Sequence, residues 1–308
     1  MDGLHLPSST AEPQSFTLSD GRRLAYQCVG DPQGQPVFFF HGSPGSRLDS
    51  LSAQAAAQAH GWQIVAPDRP GMGRSDFQPY GLLDYVDDIC ELADSLGWKT
   101  FGVMGHSGGG TTVLSCAYAI PDRLTFALDL GGWAPVSVAE LRSQMTAIDR
   151  FFAERCIPSS QAQPVHRVPR LFQIPFTLLG LSAKMLPSAM FIGLLNGANY
   201  FCEADSALLS TPEVANFLAR TVRESFAQGG EGPAYDALLR YQDWGFNLEE
   251  ISMSIDIIHG VEDISAPYSF AVYKHRHLPN SQLHSYPQEG HFFLWSHWDD
   301  IIAIASNP

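Results

Sequence analysis

The chain alternates between short apolar runs and longer segments in which apolar residues recur every three or four positions. A short apolar run of this kind is typical of a strand that is buried on both faces of a parallel sheet. Such runs predict strands at 36–40, 62–66, 101–104, 126–130 and 255–258, and a further strand is predicted at 282–286. Two earlier strands, 15–18 and 23–29, are predicted to form a hairpin around the turn signal Asp20-Gly21.

Segments of helical period lie between the predicted strands. The clearest has an apolar face with acidic residues between its members: Leu82, Val86, Ile89, Ala93 and Leu96. This alternation predicts an α/β fold, with a mostly parallel sheet and helices on both of its faces. Because ligands of such sheets bind beyond the carboxyl ends of the strands, we expect the chemistry just after the strands.

The alternation stops between residues 133 and 250, where prolines separate helix-like stretches. We therefore expect a core of residues 15–132 and 251–308, with a helical lid, 133–250, inserted in it. Pro175, Lys184 and Pro187 break the apolar segment 172–200 into pieces shorter than a membrane span needs. The apolar side chains of the insertion either line a pocket under a lid or form the core of a small helical unit: Phe151, Phe152, Phe172, Phe176, Leu178, Leu179, Phe191 and Leu194.

Composition and charge exclude several classes of protein. The net charge of −14 disfavours nucleic acid and anionic membranes as partners, since no run of Lys or Arg offsets it. Five cysteines without a Cys-x-x-Cys pair indicate reduced, mostly buried thiols rather than disulfides or a zinc site. The first residues lack the features of a signal peptide, so we expect a cytoplasmic protein. The sequence does not decide between a monomer and a homodimer.

Residues 105–109, with the sequence GHSGG, match the pattern G-x-S-x-G between a predicted strand and a helix-like segment. In this nucleophile elbow a sharp turn presents the hydroxyl of the central serine, here Ser107, above the sheet. The flanking Gly105 and Gly109 let neighbouring backbone approach, and His106 and Gly108 complete the turn. The alternative is a purely structural glycine-rich turn.

An activated serine needs a base, because a serine hydroxyl is almost wholly protonated at neutral pH. Among eleven histidines, His291 is the candidate, since it follows a glycine in the loop after the predicted strand 282–286. His106 adjoins the serine but is expected to point away from it. His41 is expected to brace its own loop, and His259 to end a strand.

Four motifs resemble those of the α/β-hydrolase superfamily over about residues 15 to 305. They are HGSPG at 41–45, DRPGMGRS at 68–75, GHSGG at 105–109, and the pair GVED at 260–263 with GHF at 290–292. The resemblance implies the α/β-hydrolase fold, with an eight-stranded, mostly parallel sheet and an inserted lid. It also implies the chain order Ser, Asp, His for the catalytic triad.

The third member of the triad is a carboxylate that orients the base. The spacing G-x-x-D of the family selects Asp263 over the neighbouring Glu262 and over Glu289, and Asp129 is the reserve candidate.

Two backbone N–H groups suffice to bind the oxyanion formed on acyl attack. Gly108, directly after the nucleophile, supplies one of them. The resemblance assigns the other to Ser43, since Pro44 has no N–H.

A serine at the elbow, where some relatives of this fold carry an aspartate, indicates acyl chemistry. We expect a serine hydrolase of the carboxylesterase or lactonase type, acting on a small to medium hydrophobic substrate without metal or organic cofactor. Alternatives are a hydrolase of carbon–carbon bonds in diketones and a ligand receptor or non-hydrolytic member of the same fold. Arg47 and Arg69 are expected to form structural ion pairs rather than to meet substrate.

Overall fold

A computed structural model of the protein describes residue 6 and residues 12–156 and 168–306. Eight strands form one sheet in the order β1-β2-β4-β3-β5-β6-β7-β8. The strands are β1 (Gln14–Thr17), β2 (Arg23–Gly30), β3 (Gln35–Phe40), β4 (Trp62–Pro67), β5 (Phe101–His106), β6 (Leu124–Leu130), β7 (Ile255–Gly260) and β8 (Ser281–Tyr286). Each predicted strand is confirmed, with boundaries that differ by at most two residues.

The sheet is mostly parallel, as the alternating pattern predicts. β1 and β2 pair antiparallel as the predicted hairpin, and β2 is also antiparallel to β4. All other neighbouring strands run parallel, so the carboxyl ends of β3 to β8 lie at one edge of the sheet.

Twelve α-helices lie within the described residues. They are α1 (Gln54–Ala59), α2 (Asp84–Ser95), α3 (Gly109–Ala119), α4 (Ala139–Ser143), α5 (Ala147–Cys156), α6 (Arg170–Met185), α7 (Ser188–Gly197), α8 (Glu203–Leu209), α9 (Pro212–Ser225), α10 (Glu231–Arg240), α11 (Tyr268–His277) and α12 (Trp298–Ser306). Short 3-10 helices at Arg47–Ala53, Pro121–Arg123, Leu248–Glu250 and Phe293–Trp295 complete the connections.

The core has two parts, one on each face of the sheet. β3 shows why an uninterrupted apolar run fits a central strand: Phe38 and Phe40 belong to one cluster, and Val37 and Phe39 to the other. All four side chains are at most 1% exposed. Helices α2, α3 and α11 contribute to the first cluster, and α1 and α12 to the second. This packing holds the strand ends of the central sheet in fixed positions.

Helices α4 to α10 follow β6 and precede β7, within the predicted insertion. Pro175 lies inside α6, so the expectation that it breaks the helical segment was wrong, whereas α6 does end before Pro187. Pro158 and Pro164, two of the prolines that mark the insertion, lie outside the described residues. No helix in the described part of the chain is long and apolar enough to span a membrane.

The expectation of mostly buried thiols was wrong. Cys116, on α3, is fully buried, but Cys28, Cys90 and Cys202 are only partly buried. None of these four cysteines forms a disulfide. The side chain of Cys156 lies outside the described residues.

Candidate active site

The predicted elbow is a tight connection between β5 and α3. Ser107 has a φ of 53°, a left-handed conformation that is uncommon for a residue with a side chain. The turn is crowded by backbone: a Cβ at Gly105 would lie 2.3 Å from the carbonyl oxygen of Gly109, and a Cβ at Gly109 would lie 2.1 Å from that of Phe40. Glycine is therefore required at both positions, because neither contact can accommodate a side chain.

The loops after β7 and β8 bring a histidine and an aspartate together. Nδ1 of His291 lies 2.6 Å from Oδ2 of Asp263, and both residues are buried. The other oxygen of Asp263, Oδ1, accepts hydrogen bonds from the backbone N–H groups of Ser265 and Ala266, at 2.8 and 2.9 Å. These bonds orient the carboxylate, so that Oδ2 remains directed at the imidazole.

Charge and burial have opposite effects on the pKa values of His291 and Asp263. Burial by itself lowers the pKa of His291, but the charge and hydrogen bond of Asp263 and the charge of Asp205 raise it above its ordinary value. Burial likewise raises the pKa of Asp263, but the neighbouring His291 and His259 hold it well below its usual range. The surroundings of the pair therefore favour an ionised carboxylate at Asp263 and raise the basicity of the imidazole of His291.

The other three histidines considered in the sequence lie around the pair of His291 and Asp263. Nε2 of His106 donates to the carbonyl oxygen of His291 at 3.0 Å, and burial lowers the pKa of His106 to about 3. Nδ1 of His41 donates to the carbonyl of Gly42, within its own loop. Nε2 of His259 donates to the carbonyl of Ala266 at 2.8 Å and lies 3.3 Å from Asp263. His106 and His259 thus fix the two loops that carry the candidate base and acid.

The alternative acids lie elsewhere. Glu262 is exposed, and Glu289 contacts His297 at 3.0 Å. Asp129, at the end of β6, is fully buried and paired with Lys274. None of the three has a contact with His291 like that of Asp263.

The loop after β3 lies against the elbow. A Cβ at Gly42 would be 3.5 Å from Cβ of Ser107, and a Cβ at Gly108 would be 3.1 Å from Cβ of Ser43. The backbone of the two candidate oxyanion donors, Ser43 and Gly108, is therefore brought together beside the candidate nucleophile.

A buried ion-pair network supports this loop, and most of its members belong to no sequence motif. Asp236 on α10 binds Nε of Arg69 at 2.6 Å and Nη1 of Arg240 at 2.7 Å. Arg69 also donates to the carbonyl oxygens of His41 and Gly42. Arg69 thus has the expected structural role, while Asp236 and Arg240 come from an insertion that carries no recognisable motif.

Arg47 has a similar structural role. Its Nη1 lies 2.7 Å from Asp68 and 2.8 Å from Glu224 on α9. This pairing ties the loop after β3 to the insertion.

A second contact from the insertion, also missed, reaches the histidine loop. The carboxylate of Asp205 on α8 accepts from the backbone N–H groups of His291 and Phe292, each at 3.0 Å. A few residues earlier, the carbonyl of Tyr200 accepts from the hydroxyl of Ser265 at 2.9 Å, beside the candidate acid. One short segment of the insertion therefore holds both loops.

Ser107 and His291 face one cavity of ≈ 230 Å³ between the strand ends and the insertion. Its walls are mainly apolar, with contributions from the insertion that include Phe152, Phe176, Leu179, Phe191 and Leu195. Of the other apolar residues singled out in the sequence, Phe172 is buried behind the wall. Three face outward and are exposed: Phe151, Leu178 and Leu194.

Polar groups are few in the cavity wall. Besides the candidate catalytic residues they include Arg240 and two buried acids, Asp49 and Asp149. Burial raises the pKa of Asp49 to about 7 and also raises that of Asp149. No cluster of three or more His, Cys, Asp or Glu side chains suited to a metal ion occurs in the described ranges.

Comparison with known proteins places the chain in a family. A sequence model of the alpha/beta hydrolase family matches residues 37–304. The protein belongs to the alpha/beta hydrolase family, and the eight-stranded sheet agrees with this assignment.

Individual relatives match along nearly the whole chain. A non-heme chloroperoxidase of Streptomyces lividans is 26% identical over 308 residues, covering 95% of this chain and 99% of the relative. A proline iminopeptidase of Xylella fastidiosa (strain Temecula1) is 29% identical over 309 residues, covering 94% of each. The solved structure of an esterase from Exiguobacterium antarcticum superposes with a TM-score of 0.66 at 18% identity, covering 95% of this chain and 99% of that one.

Proposed function

We propose that the protein is a serine hydrolase that cleaves a carboxylic ester or lactone of a small to medium hydrophobic substrate. The observation that carries this proposal is the 2.6 Å contact between His291 and Asp263 at the wall of the cavity that Ser107 also faces. An imidazole held by a buried carboxylate is the base that a serine nucleophile needs.

In the proposed mechanism Oγ of Ser107 attacks the substrate carbonyl, and its proton passes to Nε2 of His291. Asp263 accepts a hydrogen bond from Nδ1, which stabilises the imidazolium and keeps the productive tautomer. The backbone N–H groups of Ser43 and Gly108 bind the oxyanion. The imidazolium then protonates the leaving alcohol, and an acyl group remains on Ser107.

Hydrolysis of the acyl-enzyme repeats these steps with water as the nucleophile. Nε2 of His291 takes a proton from water, which attacks the acyl carbon, and then returns it to Oγ of Ser107. The mainly apolar wall favours an aliphatic or aromatic substrate, since each buried CH₂ group contributes about 0.8 kcal/mol. Helices α5 to α7, which supply part of this wall, act as the lid of the site in this proposal.

The test is intact-mass spectrometry after exposure to a fluorophosphonate, together with hydrolysis of p-nitrophenyl esters of two to eight acyl carbons. The expected result is a single adduct on the wild-type protein, none on Ser107→Ala, and turnover that both Ser107→Ala and His291→Ala abolish. Ser115→Ala, a buried serine on α3, is the matched control and should keep the adduct. No adduct and no ester turnover by the wild-type protein would overturn the proposal.

A further inference from the structure

Arg240 places a positive charge in the wall of the cavity. Its side chain is buried, and it lines the same cavity as Ser107 and His291. Nη1 lies 3.0 Å from the position that a Cβ at Gly108 would occupy, and the guanidinium carbon is 5.1 Å from the ring centre of Trp133. The cation is therefore beside the candidate oxyanion donor rather than at the cavity mouth.

The charge of Arg240 is only partly balanced. Asp236 is the one carboxylate that bonds it among the described residues, and Asp236 is shared with Arg69. Although burial raises the pKa of Asp236, the two arginines lower it to about 2, so it carries one negative charge against two positive ones. Both bonds from Arg240 to Asp236 use Nη1, and its Nε is buried without a hydrogen-bond partner.

Two further acids lie in the cavity wall. Asp149 accepts from the hydroxyl groups of Thr146 and Tyr241, at 2.6 and 3.0 Å, and Asp49 lies against the loop after β3. Burial raises the pKa of both acids, although the charge of Arg240 lowers that of Asp149. Arg240 is thus a cation of this wall whose bonded carboxylate, Asp236, is shared with a second arginine.

We propose that Arg240 is a specificity-determining residue that binds a carboxylate of the substrate, so that the preferred ester or lactone has an anionic group a few bonds from its scissile carbonyl. The proposal rests on the proposed function and narrows its substrate class. A guanidinium is the side chain best suited to bind a carboxylate, and inside a cavity the charge is weakly screened. The same charge opposes the binding of a protonated amine, so aminopeptidase substrates are disfavoured at this site.

The experiment compares matched pairs of esters that differ in one terminal carboxylate. Monomethyl succinate is paired with methyl butanoate, and monomethyl glutarate with methyl pentanoate, with released methanol as the measure of turnover. Each is assayed with the wild-type protein, Arg240→Met, which removes the charge but keeps an apolar stem, and Arg240→Lys, which keeps a charge. Arg123→Met, a partly exposed arginine paired with Asp94, is the control.

We expect Arg240→Met to lower kcat/KM for each anionic ester about ten- to a hundredfold more than for its neutral partner, the range expected for a buried hydrogen bond to a charged group. Arg240→Lys should recover part of the difference, and Arg123→Met should show none. An equal loss on both members of each pair would overturn the proposal and assign Arg240 to support of the oxyanion site. Equal activity of Arg240→Met and wild type on all four esters would also overturn it.

A second measurement needs no variant and covers the case in which Arg240→Met does not fold. Glutarate should inhibit wild-type hydrolysis of methyl butanoate at a lower concentration than its neutral analogue glutaramide. Equal inhibition by the two would contradict the proposal. Failure of the proposed function is a separate result, because the wild-type protein would then hydrolyse neither the neutral nor the anionic esters and would form no fluorophosphonate adduct.

Discussion

The carboxylate of Asp205 accepts a hydrogen bond of 3.0 Å from the backbone N–H of His291. The same carboxylate accepts from Phe292, and Asp205 is only 2% exposed. Its charge is one of the factors that raise the pKa of His291. Asp205 lies on α8, between β6 and β7, so this part of the chain helps to hold the loop of the candidate base and contributes to its basicity.

Asp205→Asn should therefore change the pH dependence of turnover. His291 must be neutral to accept a proton, so activity is lost as the pH falls through its raised pKa. Removing the charge of Asp205 lowers that pKa, and the acidic limb of kcat/KM should move to lower pH, with a smaller loss of kcat than in Asp263→Asn. A purely structural role of Asp205 would lower activity without moving the limb. Glu203→Gln, an exposed acid of the same helix, is the control.

The amino-acid sequence is sufficient to predict the sheet and the candidate triad, but not the residues that hold the triad in place. The strands can be predicted because a short apolar run such as 36–40 is typical of a buried strand. The elbow can be predicted because a crowded turn restricts its flanking positions to glycine. Asp205 and Asp236 act through contacts with residues 86 and 167 positions away in the chain. Local patterns carry no signal for such contacts, since both aspartates look like ordinary polar positions of a helix.

Asp263→Asn should cost more than the change at Asp205. The amide cannot favour the productive tautomer of His291, and a loss of kcat of about 10⁴-fold is expected for a change of this kind. The acidic limb should also move to lower pH, since the charge of Asp263 is the largest factor that raises the pKa of His291. Steady-state rates from pH 4 to 9 measure both effects. Full activity of Asp263→Asn would mean that His291 does not depend on the carboxylate of Asp263.

Asp49→Asn should stabilise the protein at neutral pH. The pKa of Asp49 is about 7 in the fold against 3.8 in the unfolded chain, because burial favours its neutral form. Between these two values the unfolded state holds fewer protons, so the stability of the fold falls as the pH rises from about 4 to about 7. The asparagine removes this loss, which amounts to at most about 4 kcal/mol. Urea unfolding at pH 4 and pH 7.5 should show a gain only at the higher pH.

Gly109 and Gly193 have opposite surroundings. A Cβ at Gly109 would collide with the carbonyl oxygen of Phe40, whereas a Cβ at Gly193, inside α7, would meet nothing within 4 Å. Gly109→Ala must therefore displace either β3 or the elbow, and we expect a loss of several kcal/mol in the free energy of unfolding together with the loss of fluorophosphonate labelling. Gly193→Ala only restricts the unfolded chain and favours the helix, so it should gain about 0.5–1 kcal/mol and leave labelling unchanged. Denaturant unfolding of the two variants measures the difference directly. If Gly109→Ala retained both stability and labelling, the close approach of the elbow to β3 would not be what requires glycine there.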